Sequence, residues 1–363
     1  MRGGMREVMR YAMVLGLLFA MGMAGAQAAT VFNAPGFSYT KVLDGGGAKL
    51  SSAAFSPDGR YIAYYERNSA GNTLAIKVYD RQTQTTTTLL SDQYSDRWMS
   101  APYFSDDGTK VGFSYWPGGS VPNEIRVYSL DGTSFQTYES DVFEPANSDF
   151  LGSATDKFVA WDWNEEPNTE ADLITYDGSS TPSNMTRTNI TNTAAYSEYE
   201  PDSNRAGDMI LYWSGETTAE AVDTTHTLTN VEGVWTVDVD FNPIAGSTWA
   251  FLSRDETEIG LTQYDSGSGY GKGDLYVYDL AGNFLFDLTG PAVGQGEYWQ
   301  FFGFNFATGP EGPGREYVFT SDADNSLGGR DIWVATAVPE PTTLLLVASG
   351  LAGLMGVARR RRR

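Results

Sequence analysis

A single histidine restricts the chemistry that the sequence supports. His226 lies in a threonine-rich stretch, and the chain contains no cysteine. A catalytic triad also needs a nucleophile on a strained turn, and no Gly-x-Ser-x-Gly elbow is present. One histidine without thiolates excludes a multi-histidine or cysteine metal centre. We therefore interpret His226 as a solvated loop residue and predict no catalytic residue.

Carboxylates dominate the charged side chains, with 46 acidic against 24 basic residues. A glycosidase requires two of them about 5 to 9.5 Å apart, a separation that sequence does not define. One glycine-containing loop offers several oxygen ligands of the kind that Ca²⁺ binds, at Asp322, Asp324 and Asp331. The loop lacks EF-hand spacing, so an Asx-rich turn between strands is the alternative. We predict no required cofactor and keep Ca²⁺ at these residues as a hypothesis.

The acidic balance and the aromatic content indicate which partners are compatible. The formal net charge of −22 repels phosphate backbones, which argues against nucleic-acid binding. The 9 Trp, 21 Tyr and 19 Phe residues include clusters at 161–163 and 298–302. Rings flanked by carboxylates and amides suit a sugar face, while packing between sheets is the alternative. The segments 215–232 and 266–273 are expected to project as loops, where functional residues often lie.

An internal repeat predicts the elements that position these residues. Ala54–Tyr64 recurs as Tyr103–Phe113, displaced by 49 residues, and each copy reads as a strand, an Asp-Gly turn and a second strand. A third strand follows each copy. Four further third strands are predicted downstream, at 173–178, 234–237, 275–279 and 331–334. The strands predicted to precede them are, in the same order, 158–161, 209–213, 248–252 and 317–320.

These six units predict an all-β fold, a six-bladed β-propeller. The sixth unit runs out of chain before it has an outer strand, and Tyr39–Leu43 precedes the first unit without a blade of its own. We expect these two to pair and close the ring, which removes exposed strand edges. The Phe55–Gly59 motif (Phe-Ser-Pro-Asp-Gly) resembles the TolB-type propeller family, and this resemblance implies the same ring. The third to fifth units lack the Pro-Asp-Gly core.

The N-terminal residues 1–28 have the order of a secretory signal peptide. A basic segment with Arg2, Arg6 and Arg10 precedes an apolar stretch, and small residues follow it. We predict a signal helix and cleavage by signal peptidase after Ala28, with Ala26 as the other small residue of the site. A transmembrane anchor is the alternative, but the apolar run is short for one.

The C-terminal residues 338–363 combine a short motif, an apolar run and a basic end. The motif is Val338-Pro339-Glu340-Pro341, and the end consists of Arg359, Arg360, Arg361, Arg362 and Arg363. This order resembles the PEP-CTERM sorting signal. The resemblance implies a transmembrane helix whose arginines stay in the cytoplasm, and an exosortase that recognises Pro339-Glu340-Pro341 and processes the tail. Products of that family reach the cell surface or an exopolysaccharide matrix.

The function that these features favour is a binding scaffold. We expect residues 29–337 to form a propeller that is delivered outward and binds an exopolysaccharide or a surface protein, with no nucleic-acid partner. The alternative is a polysaccharide-acting enzyme, a hydrolase or lyase with carboxylates at the propeller channel. A third hypothesis makes the propeller an inert spacer. Retention on exopolysaccharide without its cleavage would distinguish the first hypothesis from the other two.

Overall fold

The structure is a computed structural model that describes most of the chain between residues 32 and 338. The described ranges are 32–68, 74–92, 98–118, 123–139, 145–163, 171–191, 196–216, 224–238, 241, 243–253, 255–264, 273–289, 304–306, 315–321 and 329–338. These residues form six antiparallel sheets. Each sheet is one blade of a propeller.

The first three blades follow one another along the chain. Blade 1 contains β2 (Lys49–Phe55), β3 (Tyr61–Arg67), β4 (Leu74–Asp80) and β5 (Thr85–Asp92). Blade 2 contains β6 (Trp98–Met99), β7 (Tyr103–Phe104), β8 (Lys110–Trp116), β9 (Glu124–Ser129) and β10 (Phe135–Glu139), and both β6 and β7 pair with β8. Blade 3 contains β11 (Ala146–Phe150), β12 (Lys157–Trp163), β13 (Ala171–Asp177) and β14 (Thr186–Asn189).

The remaining blades complete the ring. Blade 4 contains β15 (Tyr196–Ser203), β16 (Met209–Glu216), β17 (Thr224–Val231), β18 (Val234–Val237) and β19 (Ile244–Ala245). Blade 5 contains β20 (Ser247–Leu252), β21 (Glu258–Tyr264), β22 (Gly273–Asp279) and β23 (Phe284–Asp287). Blade 6 contains β24 (Phe304–Phe306), β25 (Glu316–Ser321), β26 (Asp331–Ala337) and β1 (Phe37–Leu43). We call β2, β6 with β7, β11, β15, β20 and β24 the inner strands of blades 1 to 6.

Closure of the ring by the two ends of the described chain is confirmed. Strand β1 pairs antiparallel with β26, and Tyr39 lies opposite Ala335 in the register. The predicted outer strand of the sixth unit is therefore the strand that precedes the first. The six sheets also confirm the predicted all-β propeller.

Apolar side chains bury the faces between neighbouring blades. The described residues form six hydrophobic clusters, and each joins two adjacent sheets. Phe113 of blade 2 packs in one cluster with Ile76 of blade 1, and Val318 of blade 6 packs in another with Ile62 of blade 1. Alternating side chains of a strand point to opposite faces, so each blade contributes to the clusters on both sides.

Two predicted elements were wrong in blades 4 and 5. Val234–Val237 is the fourth strand of blade 4, because β17 occupies the third position within the segment predicted as a loop. The threonines of β17 are β-branched, and Thr225 and Thr227 are buried, so they behave as strand residues. In blade 5 the strand before β22 is β21 rather than the predicted 248–252.

Several predicted segments lie outside the described residues. These are the signal helix, the C-terminal transmembrane helix and most of the loop at 266–273. Across the part of the chain that is described, no helix has the length and apolar character needed to cross a membrane.

Candidate functional site

The inner strands of blades 1, 3, 4 and 5 shift register against their neighbours at corresponding positions. Ser52, Asn147 and Glu200 have left-handed backbone angles, with φ of 55°, 41° and 50°. Each lies at a register shift between the inner strand and its neighbour. A bulge bends the strand and redirects side chains, and a non-glycine residue adopts this conformation only at a cost of about 1–3 kcal/mol. In blade 2, Pro102 lies between β6 and β7 and interrupts the inner strand at the comparable place.

The bulged strands surround one cavity, which we call the central cavity. Its volume is about 450 Å³. The inner strands of five blades contribute to its wall. Its lining includes Lys49, Ser51, Ser52, Tyr65, Arg67, Tyr103, Asn147, Asp149, Glu200, Asp202, Phe251 and Arg330. Cavities of about 300–1,000 Å³ with aromatic walls and a few polar groups are typical of small-molecule sites.

Glu200 presents a carboxyl group with a raised pKa to this cavity. Its Oε1 accepts a hydrogen bond of 3.0 Å from Nδ2 of Asn147, and its Oε2 accepts one of 3.4 Å from Nε1 of Trp213. Burial raises the pKa of Glu200 to about 8, although the Trp213 hydrogen bond acts in the opposite direction. At neutral pH this side chain therefore holds a proton, so it can donate a hydrogen bond to a ligand as well as accept one.

The other two carboxylates of the central cavity have structural partners. Oδ2 of Asp149 accepts a 3.0 Å hydrogen bond from the main-chain N–H of Ser203 in blade 4. Oδ2 of Asp202 accepts a 2.5 Å hydrogen bond from the main-chain N–H of Leu252 in blade 5. Each aspartate thus links its bulged strand to the inner strand of the next blade. Both satisfy main-chain donors of the neighbouring inner strand.

A smaller cavity of about 80 Å³ lies where the inner strands end. Here Nε of Arg205 in blade 4 donates a 2.8 Å hydrogen bond to Oδ2 of Asp106 in blade 2. The main-chain N–H of Arg205 donates a 2.6 Å hydrogen bond to Oε1 of Glu256 in blade 5. These contacts connect three blades around the smaller cavity. The central cavity has the larger volume and is the candidate binding site.

The structure places only some of the residues predicted as sites. Asp331 is buried, and its carboxylate binds Nζ of Lys41 at 2.8 Å and the main-chain N–H of Gly45 at 2.9 Å. Asp322 and Asp324 lie outside the described residues, as do Ala26, Ala28, Pro339, Glu340, Pro341 and the five terminal arginines. Among the residues that are described, no group of three or more acidic or histidine side chains could hold a metal ion. The Ca²⁺ site stays a prediction.

Val338, the first residue of the predicted sorting motif, lies at the end of the described chain. It is 42% exposed, and its main-chain N–H donates a 2.8 Å hydrogen bond to the carbonyl of Gly36. Blade 6 therefore extends to the start of the motif.

The interpretation of His226 as a solvated loop residue was wrong. His226 belongs to β17, where its partner in the register is Tyr212. The two rings stack with centroids 5.5 Å apart. Burial lowers the pKa of His226, which favours the neutral imidazole. The residue does not line the central cavity.

The aromatic residues that line the central cavity were not recognised from the sequence. Trp161, from a cluster noted there, packs edge-on against Tyr199 at 5.1 Å, and this contact between blades supports the packing alternative for it. The cavity instead contains Tyr65, Tyr103 and Phe251. Position relative to the Asp-Gly turn was the available signal, because Ala54 and Tyr103 occupy the same place in the two clear repeats.

Comparisons with known proteins support the sorting motif and the propeller fold. Residues 337–363 match the family model of the PEP-CTERM protein-sorting motif. That motif implies an exported protein that is anchored in the membrane before an exosortase processes it. No curated protein matches the chain.

Among solved structures, the propeller resembles TolB from Acinetobacter baumannii. The identity is 14% and the TM-score 0.50, with 77% of this chain and 64% of that chain covered. The chain therefore spans less than two thirds of the length of this TolB. Oligogalacturonate lyase from Vibrio parahaemolyticus is also similar, with 14% identity, a TM-score of 0.52, and 85% of this chain and 96% of that chain covered. At these identities the likeness shows a shared fold.

Proposed function

We propose that this chain is an exported, exosortase-processed surface protein whose propeller binds a saccharide in the central cavity. The observation that carries the proposal is the cavity itself, about 450 Å³ in volume and walled by the inner strands of five blades. In this view, residues 1–28 are removed on export, 29–337 form the binding body, and 338–363 anchor the chain until processing. The body then reaches the cell surface or an exopolysaccharide matrix.

The composition of the wall supports a sugar ligand. Tyr65, Tyr103 and Phe251 provide rings, while Ser52 and Asn147 provide polar groups on bulged backbone. Sugars offer apolar C–H faces and many hydroxyl groups, so a site with both kinds of surface suits them. The rings are fixed by the sheets to which they belong, and a rigid site loses little conformational entropy on binding.

The structural roles of the cavity carboxylates favour binding without turnover. Asp149 and Asp202 each hold a main-chain N–H of the next blade, so using either in catalysis would disturb the ring. A polysaccharide-acting hydrolase or lyase is the second candidate. Its supporting observation is Glu200, whose pKa of about 8 would keep a general acid protonated at neutral pH.

The test uses the full-length chain, purified in detergent, and immobilised exopolysaccharide from the producing cells. We expect retention on the polysaccharide, with no increase in reducing ends and no unsaturated products. The variant Ala101→Trp would fill the central cavity, because Ala101 lines it. The matched control Ala281→Trp places the same side chain at an exposed turn of blade 5. Equal retention of both variants, or product release by the unaltered chain, would overturn the proposal.

A further inference from the structure

Three cationic residues lie side by side on adjacent strand positions at the central cavity. Lys49, at the start of β2, is the register partner of Arg67 at the end of β3. On its other side, Lys49 forms an isolated β-bridge with Arg330, the residue that precedes β26. All three line the cavity. We call Arg67, Lys49 and Arg330 the cationic row.

A row of like charges is unfavourable unless something compensates it. Residues directly opposite each other on paired strands have Cβ atoms about 4.5–5.5 Å apart, and like charges there destabilise the sheet. The chain has only 24 basic residues against 46 acidic ones, so three cations in one row are not a consequence of composition. Four other cations of blades 1 and 2 have carboxylate partners, in the pairs Arg60–Asp80, Lys77–Glu66, Arg81–Glu316 and Arg126–Glu124.

The cationic row lacks such compensation at two of its members. In the described part of the chain, neither Lys49 nor Arg67 has a carboxylate within ion-pair distance. Arg67 has a phenol oxygen as its neighbour, since Nη2 donates a 3.1 Å hydrogen bond to the hydroxyl of Tyr65. Nη1 of Arg330 donates a 2.9 Å hydrogen bond to Oγ of Ser51, which also lines the cavity.

No carboxylate of the opposite wall lies within ion-pair distance of Lys49 or Arg67 in the described part of the chain. Glu200 is protonated at neutral pH, and the carboxylates of Asp149 and Asp202 are directed to main-chain N–H groups of neighbouring blades. An excess of one sign of charge within low-dielectric walls concentrates ions of the other sign. With Glu200 protonated, three cations outnumber the two aspartates in the lining, so the central cavity favours an anionic group beside the cationic row.

We infer that the central cavity binds a saccharide that carries carboxylate groups, with the cationic row as the carboxylate-binding subsite. This inference rests on the proposed function. The guanidinium groups of Arg67 and Arg330 can form paired hydrogen bonds with a carboxylate, and Lys49 between them adds a point charge. Tyr65, Tyr103 and Phe251 are rings that line the same cavity, and they suit the apolar faces of sugar rings. An acidic peptide would pair with the cationic row, but it lacks the apolar sugar faces that suit the aromatic rings.

The test compares two probes of equal length and shape. One is a linear tetramer of a hexuronic acid, and the other is the same tetramer with every carboxyl methyl-esterified. Calorimetry with the full-length chain in detergent should show binding of the acid that is at least about tenfold tighter than that of the ester, and weaker in higher salt. Equal affinity for both would overturn this inference and leave the proposed function standing. Failure of any saccharide to bind would overturn both.

Variants locate the subsite. Arg67→Gln and, separately, Lys49→Gln should each weaken binding of the acidic tetramer about tenfold or more and leave binding of the ester nearly unchanged. Lys49 is exposed, so its replacement does not disturb the core. Lys157→Gln removes one charge from an exposed pair in blade 3 and is the matched control. Normal binding by both cavity variants would overturn the assignment. Equally tight binding of tetraglutamate, or displacement of the tetramer by inorganic phosphate at equal concentration, would overturn the saccharide specificity.

Discussion

Nζ of Lys41 lies 2.8 Å from Oδ2 of Asp331 and thereby joins the strand that begins the described ring to the strand that ends it. The Asp331 side chain is 1% exposed and that of Lys41 is 25% exposed. Oδ1 of the same aspartate accepts a hydrogen bond from the main-chain N–H of Gly45. Closure of the propeller therefore rests on a mostly buried ion pair in addition to the β1–β26 ladder.

Replacing Lys41 tests this closure. The variant Lys41→Met keeps much of the side-chain volume but leaves a buried carboxylate without its cation. Removing one partner of a buried pair costs about 3–5 kcal/mol. We expect the free energy of unfolding in urea to fall by about 3 kcal/mol, or somewhat less because Lys41 is partly exposed.

The control is Lys157→Met, which removes the cation of the exposed Lys157–Asp177 pair. Exposed pairs contribute about 1 kcal/mol or less. Similar losses for the two variants would show that the Lys41–Asp331 pair does not stabilise the closed ring.

Gly112 allows the close approach of a tyrosine that lines the central cavity. A Cβ at this position would lie 2.4 Å from Cε2 of Tyr103. The hydroxyl of Tyr103 is 2.9 Å from Oγ of Ser148 in blade 3. We expect Gly112→Ala to displace the ring, to lower the free energy of unfolding by about 1–3 kcal/mol and to weaken saccharide binding.

Tyr103→Phe is the comparison for this variant, because it keeps the ring and removes only the hydroxyl. It should bind saccharide more tightly than Gly112→Ala does. Urea unfolding and calorimetry measure the two effects, and unchanged binding by Gly112→Ala would exclude Tyr103 from the ligand site.

The ring was predictable from sequence because its signals are local. The Asp-Gly turns after Phe55 and Phe104 set a repeat, and the unpaired Tyr39–Leu43 indicated closure. The turn chemistry is visible in the structure, since Oγ of Ser56 donates to Asp58 and Oγ of Ser105 donates to Asp107. Side chains with such fixed roles recur from blade to blade.

The site was not predictable because it depends on register and bulges. The types of Ser52 and Glu200 do not signal a left-handed backbone, which glycine and, less often, asparagine adopt. Arg330 contacts Ser51 of β2 although the two residues are 279 positions apart in the chain. The contact forms only because closure of the ring brings the last blade beside the first. The cationic row is thus a product of ring closure, and no local pattern contains it.

The sorting motif makes a separate prediction about the tail. Replacing Pro339 and Pro341 by alanine should remove the feature that an exosortase recognises, while leaving the apolar run and the arginines intact. We expect full-length protein to accumulate in the inner membrane, as measured by cell fractionation and immunoblotting of the body. Replacing Thr342 and Thr343 by alanine is the control outside the motif. Normal release of the Pro339 and Pro341 variant would contradict processing at this motif.

Glu200 makes the stability of the ring depend on pH. Burial raises its pKa in the folded protein to about 8, above the usual value of 4.5. The folded state therefore binds this proton more tightly than the unfolded state does, and stability falls as pH rises from about 4.5 to 8. Glutamine at this position cannot ionise, so Glu200→Gln should remove that part of the slope. We expect the difference in unfolding free energy between the two proteins to change by about 4 kcal/mol between pH 5 and 8.5, in favour of the variant at high pH. Urea unfolding at a series of pH values measures it, and parallel curves would mean that Glu200 titrates as an ordinary surface carboxylate.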